Sequence, residues 1–192
     1  MTNVTIIGNG NMGTAIGGLA ANGGATVRYV GRGEVTAGAS LDEIVVLAVP
    51  YGEIDGIISA YGPALDGKIV VDISNPLDFS TFDSLVVPVG SSATAEIQSK
   101  IPEARVLKAF NTTFAGTLSS RSVGDNPTTV LIAGDDIAAK DLLKSVVIAG
   151  GLAAIDAGSL ARAHELEALG FLQLTLAAVE KVGWTGGFAV VR

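Results

Sequence analysis

The 192-residue sequence has no cysteine, a single histidine (His164), one tryptophan and two methionines, and only 5% of its residues are aromatic. Without cysteine there is no disulfide, no thiolate nucleophile and no sulfur-ligated metal. One histidine and no cluster of carboxylates leave nothing from which to assemble a zinc site, so no metal is expected. Charge is scarce too: 16% of residues, with 12 Lys and Arg against 19 Asp and Glu, giving a net charge of -7. Such an acidic balance, with a pI of ≈ 4.6, argues against nucleic acid or an anionic membrane surface as partner. The most apolar stretch, 146–155, is too short and too glycine-rich to span a bilayer. Met1-Thr2-Asn3 leads directly into a β-branched run with no leader in between. A cytoplasmic location with no membrane partner is therefore expected. No Ser-His-Asp set and no Tyr-x-x-x-Lys pair stands out, so no catalytic residue is assigned.

What the chain has instead is apolar content (48%), 25 glycines and a mean hydropathy of +0.51. Its apolar runs are continuous rather than alternating, as in strands buried on both faces of a parallel sheet. Strands are predicted at 3–7, 25–30, 44–49, 68–73, 105–109, 128–133 and 152–156. Helices are predicted at 11–22, 91–100, 137–149 and 159–182, with a short one after Pro50. The fold class is α/β, a Rossmann-type doubly wound, mostly parallel sheet with a C-terminal helical extension. Residues 1–115 read as the dinucleotide-binding core. Residues 116–192 read as an extension that completes the sheet and adds a long helix within the same compact unit. The stretch 116–127, rich in Ser, Gly and Asn, reads as an exposed loop. Between the second and third strands there is room for neither a helix nor another strand, so this crossover is trimmed and the second strand lies at a sheet edge. Arg28 inside that strand suits an edge.

The most informative motif is Gly8-Asn9-Gly10-Asn11-Met12-Gly13, a G-x-G-x-x-G that follows a β-branched run and opens a helix. Gly8 permits the turn, Gly10 removes a Cβ that would block a pyrophosphate, and Gly13 lets the helix pack closely. The helix N-terminus offers free N–H groups to phosphates. After the second strand, Gly31-Arg32 places a guanidinium where an acid would select NAD, which points to NADP. Ala48, Val49 and Pro50 end the third strand on the cofactor side, with Tyr51 placed to stack or hydrogen-bond. Asp72 at the next strand end is expected to be held by loop N–H groups, and the Asn75 amide to face the nicotinamide end. Asn111 and Thr112 are candidate hydrogen-bonding groups for the carboxamide or second substrate. Lys108 is expected to be a solvated strand-end lysine, and His164 an exposed, inert one. Trp184 and Phe188 either roof a pocket or anchor the tail. Leu160, Ala163, Leu166, Leu169, Leu172 and Leu176 form a stripe that reads as core packing, with a homodimer face as the further hypothesis.

Several segments in order, Ile6 to Gly13, Val45 to Pro50, Gly67 to Pro76, Val106 to Thr112, and Asp156-Ala157-Gly158 leading to Glu165-Leu166-Glu167, resemble the NADP oxidoreductases that use an 8-hydroxy-5-deazaflavin coenzyme. They also resemble the NADPH-binding domain of transmembrane metalloreductases. The resemblance implies that Asn9 to Gly13 hold the pyrophosphate and Arg32 the 2′-phosphate. It also implies that Val49 and Pro50 flank the cofactor, and that a flavin or deazaflavin ring, a small-molecule acceptor, binds near the nicotinamide. Family members usually have Ser-Arg after the second strand, where this chain has Gly31-Arg32. Hydride transfer between two rings asks mainly for alignment, which suits a chain without a placed proton donor. Two other readings stand beside it. Gly-Asn-Met-Gly also resembles the start of pyrroline-carboxylate reductases, so an imine or hydroxyacid reductase of that type is the second. A non-catalytic NADP sensor is the third.

Overall fold

The computed structural model describes residues 2–191. The first half alternates strand and helix: β1 (Asn3–Ile7), α1 (Asn11–Asn22), β2 (Thr26–Val30), β3 (Ile44–Leu47), α2 (Ile54–Tyr61), β4 (Ile69–Asp72), α3 (Ala93–Lys100) and β5 (Arg105–Lys108). The second half adds α4 (Ala115–Ser120), a small hairpin of β6 (Ser122–Val123) and β7 (Asn126–Pro127), β8 (Thr129–Gly134), α5 (Ile137–Ala149), β9 (Ala153–Gly158) and α6 (Ala163–Ala178). Seven strands form one sheet in the order β2-β1-β3-β4-β5-β8-β9. All neighbours are parallel except β5 and β8, which pair antiparallel through Leu107–Gly134 and Lys108–Ala133.

Every residue of β3 and β4 is buried, as continuous apolar runs require of central strands covered on both faces. On one face Ile16 and Leu19 of α1 pack with Leu143 and Val147 of α5 against Val4, Ile6 and Val46. On the other, Ile54 and Ile57 of α2 and Ile97 of α3 pack against Val45, Leu47 and Val70. The β2–β3 crossover, residues 31–43, contains neither helix nor strand, so β2 is an edge strand as expected. Arg28 lies on that edge, with Nη2 donating to the Ser40 carbonyl (2.7 Å) and to Thr5 Oγ1 (3.0 Å).

Two expectations need correction. The supposed loop over 116–127 is α4 followed by the β6–β7 hairpin, whose turn is made at Gly124 and Asp125. The Phe114 carbonyl accepts from Thr117 Oγ1 (2.9 Å), which lets a Ser/Gly-rich segment hold one short helix. The long C-terminal helix is shorter than expected. A 3-10 turn at Leu160–Arg162 precedes α6, and the chain leaves helical geometry by Glu180, where φ is 58°.

The reversal at β8 positions the site. Because β8 runs against β5, Asp135 at its end lies beside Val106 at the far rim of the sheet, away from the strand ends that follow the glycine motif. The chain leaving β9 is tied there, with the Leu160 N–H donating to Asp135 Oδ1 (2.9 Å). The 16 residues of α6, roughly 24 Å of helix, then carry the chain back across the face of the sheet.

Candidate functional site

The glycine motif makes a turn pinned between two strand ends. The Gly8 N–H donates to the Val30 carbonyl and the Ala48 N–H to the Ile7 carbonyl, both at 2.8 Å. Gly8 has φ of 107°, and a Cβ there would lie 2.2 Å from the Ala48 carbonyl oxygen. Only glycine fits on both counts. At Gly13 a Cβ would lie 2.2 Å from the Gly8 carbonyl, so the close approach is to the turn itself. Gly10 caps α1 and has open space where its Cβ would be. The first N–H groups of α1, with no acid in the first turn, face that opening. This cradle fits a pyrophosphate.

Three cavities meet along it. The first, ≈ 430 Å³, is lined by Gly8, Val30, Gly31, Arg32, Pro50 and Ile57. Arg32 is ion-paired with Glu53, and Glu34 Oε2 accepts from the Gly31 N–H at 2.6 Å. A Cβ at Gly31 would come within 3.0 Å of that Glu34 oxygen. Gly31 thus gives Glu34 room to close on the strand end. The second cavity, ≈ 560 Å³, is walled by Met12, Val49, Pro50, Tyr51, Ile73 and Phe79. The Tyr51 hydroxyl is bonded to Glu96, and burial, reinforced by that carboxylate, pushes the phenol well above its usual range. Tyr51 is a fixed neutral donor. The third cavity, ≈ 430 Å³, is walled by Asn75, Phe110, Asn111, Phe114, Leu174 and Trp184. Phe114 and Trp184 rings meet at 5.0 Å, tilted by 57°.

Asn75 and Asn111 both line the third cavity, yet their amides are turned to each other. Asn75 Nδ2 donates to the Asn111 carbonyl, and Asn111 Nδ2 to Asn75 Oδ1, each at 2.9 Å. Asn111 Nδ2 also donates to the Leu166 carbonyl of α6 (2.8 Å), leaving Asn111 Oδ1 buried without a partner. The helix can press this close because residue 170 is glycine; a Cβ there would sit 2.3 Å from Asn75 Oδ1. Phe110, just before, is buried at φ of 62°, a conformation that non-glycine residues adopt at a cost.

Lys108 overturns its expectation. It is fully buried, with Nζ 2.8 Å from both Asp72 Oδ2 and Glu167 Oε1, and it donates to the Ser74 carbonyl at 2.5 Å. β5 is an interior strand, so a cation at its end meets protein on both sides. Asp72 is held by the Ser74 N–H (2.8 Å), as expected, and also by Thr94 Oγ1 (2.8 Å). Glu167 went unrecognised as a structural residue. Its Oε2 accepts from the Ala93 N–H (3.0 Å), joining α6 to α3. The sequence did carry a signal: Glu167 lies four residues after Ala163 and three before Gly170, on the buried stripe of the helix. His164 is half-buried rather than exposed, its Nδ1 2.9 Å from the Ser91 carbonyl. In the leucine stripe, Leu160, Ala163 and Leu166 are buried within the chain, whereas Leu172 is 50% exposed. Thr112 is buried, its carbonyl accepting from Gln173 Nε2 at 3.3 Å. Phe188 is partly exposed, tied by its N–H to Gln173 Oε1.

No protein-family model matches the chain. Over 153 residues it is 31% identical to the F420-dependent NADP reductase of Methanocaldococcus jannaschii, covering 75% of this chain and 66% of that protein. A solved structure from Arthrobacter sp. FB24, provisionally described as an F420-dependent NADP reductase, superposes with a TM-score of 0.84 at 26% identity, over 100% of both chains. In sequence and fold, this chain resembles the F420-dependent NADP reductases. F420 is the deazaflavin coenzyme, so the comparison bears out the resemblance and groups the chain with NADP-dependent oxidoreductases. The chain is also 33% identical to Metalloreductase STEAP3 of Rattus norvegicus over 130 residues, 68% of this chain and 25% of that protein. It therefore spans a quarter of one curated relative and just under two thirds of the other. Plasmodium falciparum pyrroline carboxylate reductase shares the fold alone, at 14% identity and a TM-score of 0.56, over 81% of this chain and 58% of that one. Among the described residues no helix is long and apolar enough to cross a membrane.

Proposed function

We propose that this chain moves a hydride between NADPH and a flavin or deazaflavin ring lying beside it. The observation that carries the reading is the boundary between the second and third cavities. Met12, Ile73, Asn75 and Leu174 line both, and no ionisable side chain lines the third. Two flat rings can meet across that boundary, and nothing there is placed to donate a proton, as reduction of an imine would ask. When bound, NADPH supplies the hydride, so the chain's own task is alignment. The N–H groups of the Asn9 to Gly13 turn hold the pyrophosphate. Gly31 and Arg32 receive the 2′-phosphate once Arg32 leaves Glu53. Ala48, Val49 and Pro50 flank the ribose, and Tyr51 holds its proton throughout. The Asn75–Asn111 pair fixes the floor beneath the two rings, and Phe114 with Trp184 shields the acceptor side from water. Association into a homodimer and a cytoplasmic location are expectations of the same reading.

The test is NADPH oxidation, followed by loss of the reduced-nicotinamide absorbance, with FMN, FAD, riboflavin and a deazaflavin offered in turn. Saturable turnover with one of these rings is the expected result. Tight NADPH binding with no turnover on any of them would replace the enzyme reading with that of a sensor.

A further inference from the structure

Arg32 is the one cation lining the first cavity among the described residues, and it is already paired with Glu53 on the opposite wall. Gly31, Gly33 and Val35 line the same cavity, and the chain between them folds Glu34 back onto the end of β2. The fold-back is a tight turn over 31–34. The Glu34 N–H donates to the Gly31 carbonyl at 3.1 Å, and Gly33, at φ of 85°, supplies the left-handed position such a turn needs. The side chain closes the turn from the other side, Oε2 accepting from the Gly31 N–H at 2.6 Å. Thr36 Oγ1 donates to the Glu34 carbonyl (3.2 Å), fixing the far end. Oε1 meets no donor among the described residues, on a side chain open to solvent.

The place this carboxylate reaches is specific. A Cβ on Gly31 would lie 3.0 Å from Glu34 Oε2 and 3.2 Å from Nδ2 of Asn9 in the glycine turn. Glu34 thus brings an acid to the space beside the strand end and the pyrophosphate cradle, although residue 31 itself has no side chain. A dinucleotide fold that takes NAD has an acid about 20 residues past its glycine motif, accepting from the 2′-hydroxyl of the adenosine ribose. Glu34 stands at that distance from Gly13 and, by folding back, at that position. Two acids and one base therefore surround the adenosine end. That balance repels a phosphate dianion and leaves a neutral hydroxyl unopposed.

We propose that this site also takes NADH, with Glu34 Oε1 as the acceptor for the adenosine 2′-hydroxyl. The inference rests on the first cavity being the adenosine end of the dinucleotide site. One cavity then serves two nucleotides by two arrangements. With NADH, Arg32 stays on Glu53 and the Glu34 carboxylate takes the hydroxyl. With NADPH, Arg32 leaves Glu53 for the phosphate, against the charge of Glu34. Glu34 is thereby a specificity residue, narrowing the preference for NADPH that Arg32 alone would give.

The test is equilibrium binding of three nucleotides to the wild type and to Glu34→Gln, read by reduced-nicotinamide fluorescence. They are NADPH, NADH, and NADH lacking the adenosine 2′-hydroxyl. The glutamine amide oxygen can still accept from the Gly31 N–H, so the turn is kept. The wild type is expected to bind NADH about tenfold more tightly than its deoxy form, the scale of one hydrogen bond to a charged group. In Glu34→Gln those two should bind alike, while NADPH binds more tightly than to the wild type. A residue that only held the turn would weaken all three together. A deoxy penalty that survives the substitution, or is absent from the wild type, overturns the role of Glu34. A wild type that binds NADPH and not NADH overturns the second nucleotide while leaving the NADPH site standing. Failure of all three to bind overturns the adenosine reading of the first cavity, and the proposal falls with it.

Discussion

Two carboxylates crowd the only arginine at the end of β2. Glu34 occupies the Gly31 N–H and Glu53 holds the Arg32 guanidinium, so a phosphate arriving there competes with both. The Arg32 side chain is 86% exposed, so its ion pair contributes no more than about 1 kcal/mol and yields readily to a doubly charged phosphate. Removing the competitor should show this. Glu53→Gln is expected to tighten NADPH binding about two- to fivefold, leaving NADH unchanged, in a fluorescence titration of both nucleotides. Equal changes for the two would mean that Glu53 shapes the cavity and does not compete for Arg32. The absence of a side chain at Gly31 also becomes physical at this scale: a Cβ there would lie 3.0 Å from the Glu34 carboxylate oxygen that closes on the strand end.

At the scale of elements, β1, α1 and α5 lie where hydrophobic period and flanking glycines place them, because Val4 and Ile6, Ile16 and Leu19, and Leu143 and Val147 pack into one core. The Gly8 to Gly13 turn was equally legible, since its geometry is set by residues within reach of one another. Lys108 and Glu167 were not, because their environment depends on which strands flank β5 and where α6 crosses it. Those are long-range facts, carried by β8 and β9, that no local pattern encodes. The Asn75–Asn111 pairing escaped for the same reason, depending on Gly170 from a third element. A second tie of this kind joins α5 to β9, where the hydrogen bond from Lys140 holds the Asp156 carboxyl below its usual range, with the Gly158 N–H adding to it and desolvation opposing. A depressed folded-state pKa gives stability that is present above the unfolded value, about 3.9, and is lost as pH falls through the folded one. Asp156→Asn is therefore expected to melt below the wild type at about pH 7, with the gap narrowing toward about pH 3, in paired thermal unfolding curves. A gap that does not change with pH would assign the loss to packing.

For the whole molecule, the Lys108 cluster is the point where β4, β5, α3 and α6 are locked together beneath the site. Lys108→Met should leave two buried carboxylates facing each other and cost about 3–5 kcal/mol, read from urea unfolding. Lys108→Met combined with Asp72→Asn should recover part of that loss, whereas no recovery would place the cost in side-chain volume. The trimmed crossover matters to the molecule in a different way. An open edge strand invites a second chain to add its own strand, the first step toward aggregation. Here the shortened connection is stitched along β2 by Arg28, which reaches the Ser40 carbonyl and Asp42. A charged side chain in mid-strand and a loop fastened beside it make that edge a poor template for strand addition. The segment that lost its helix has become a hem that keeps the sheet from growing.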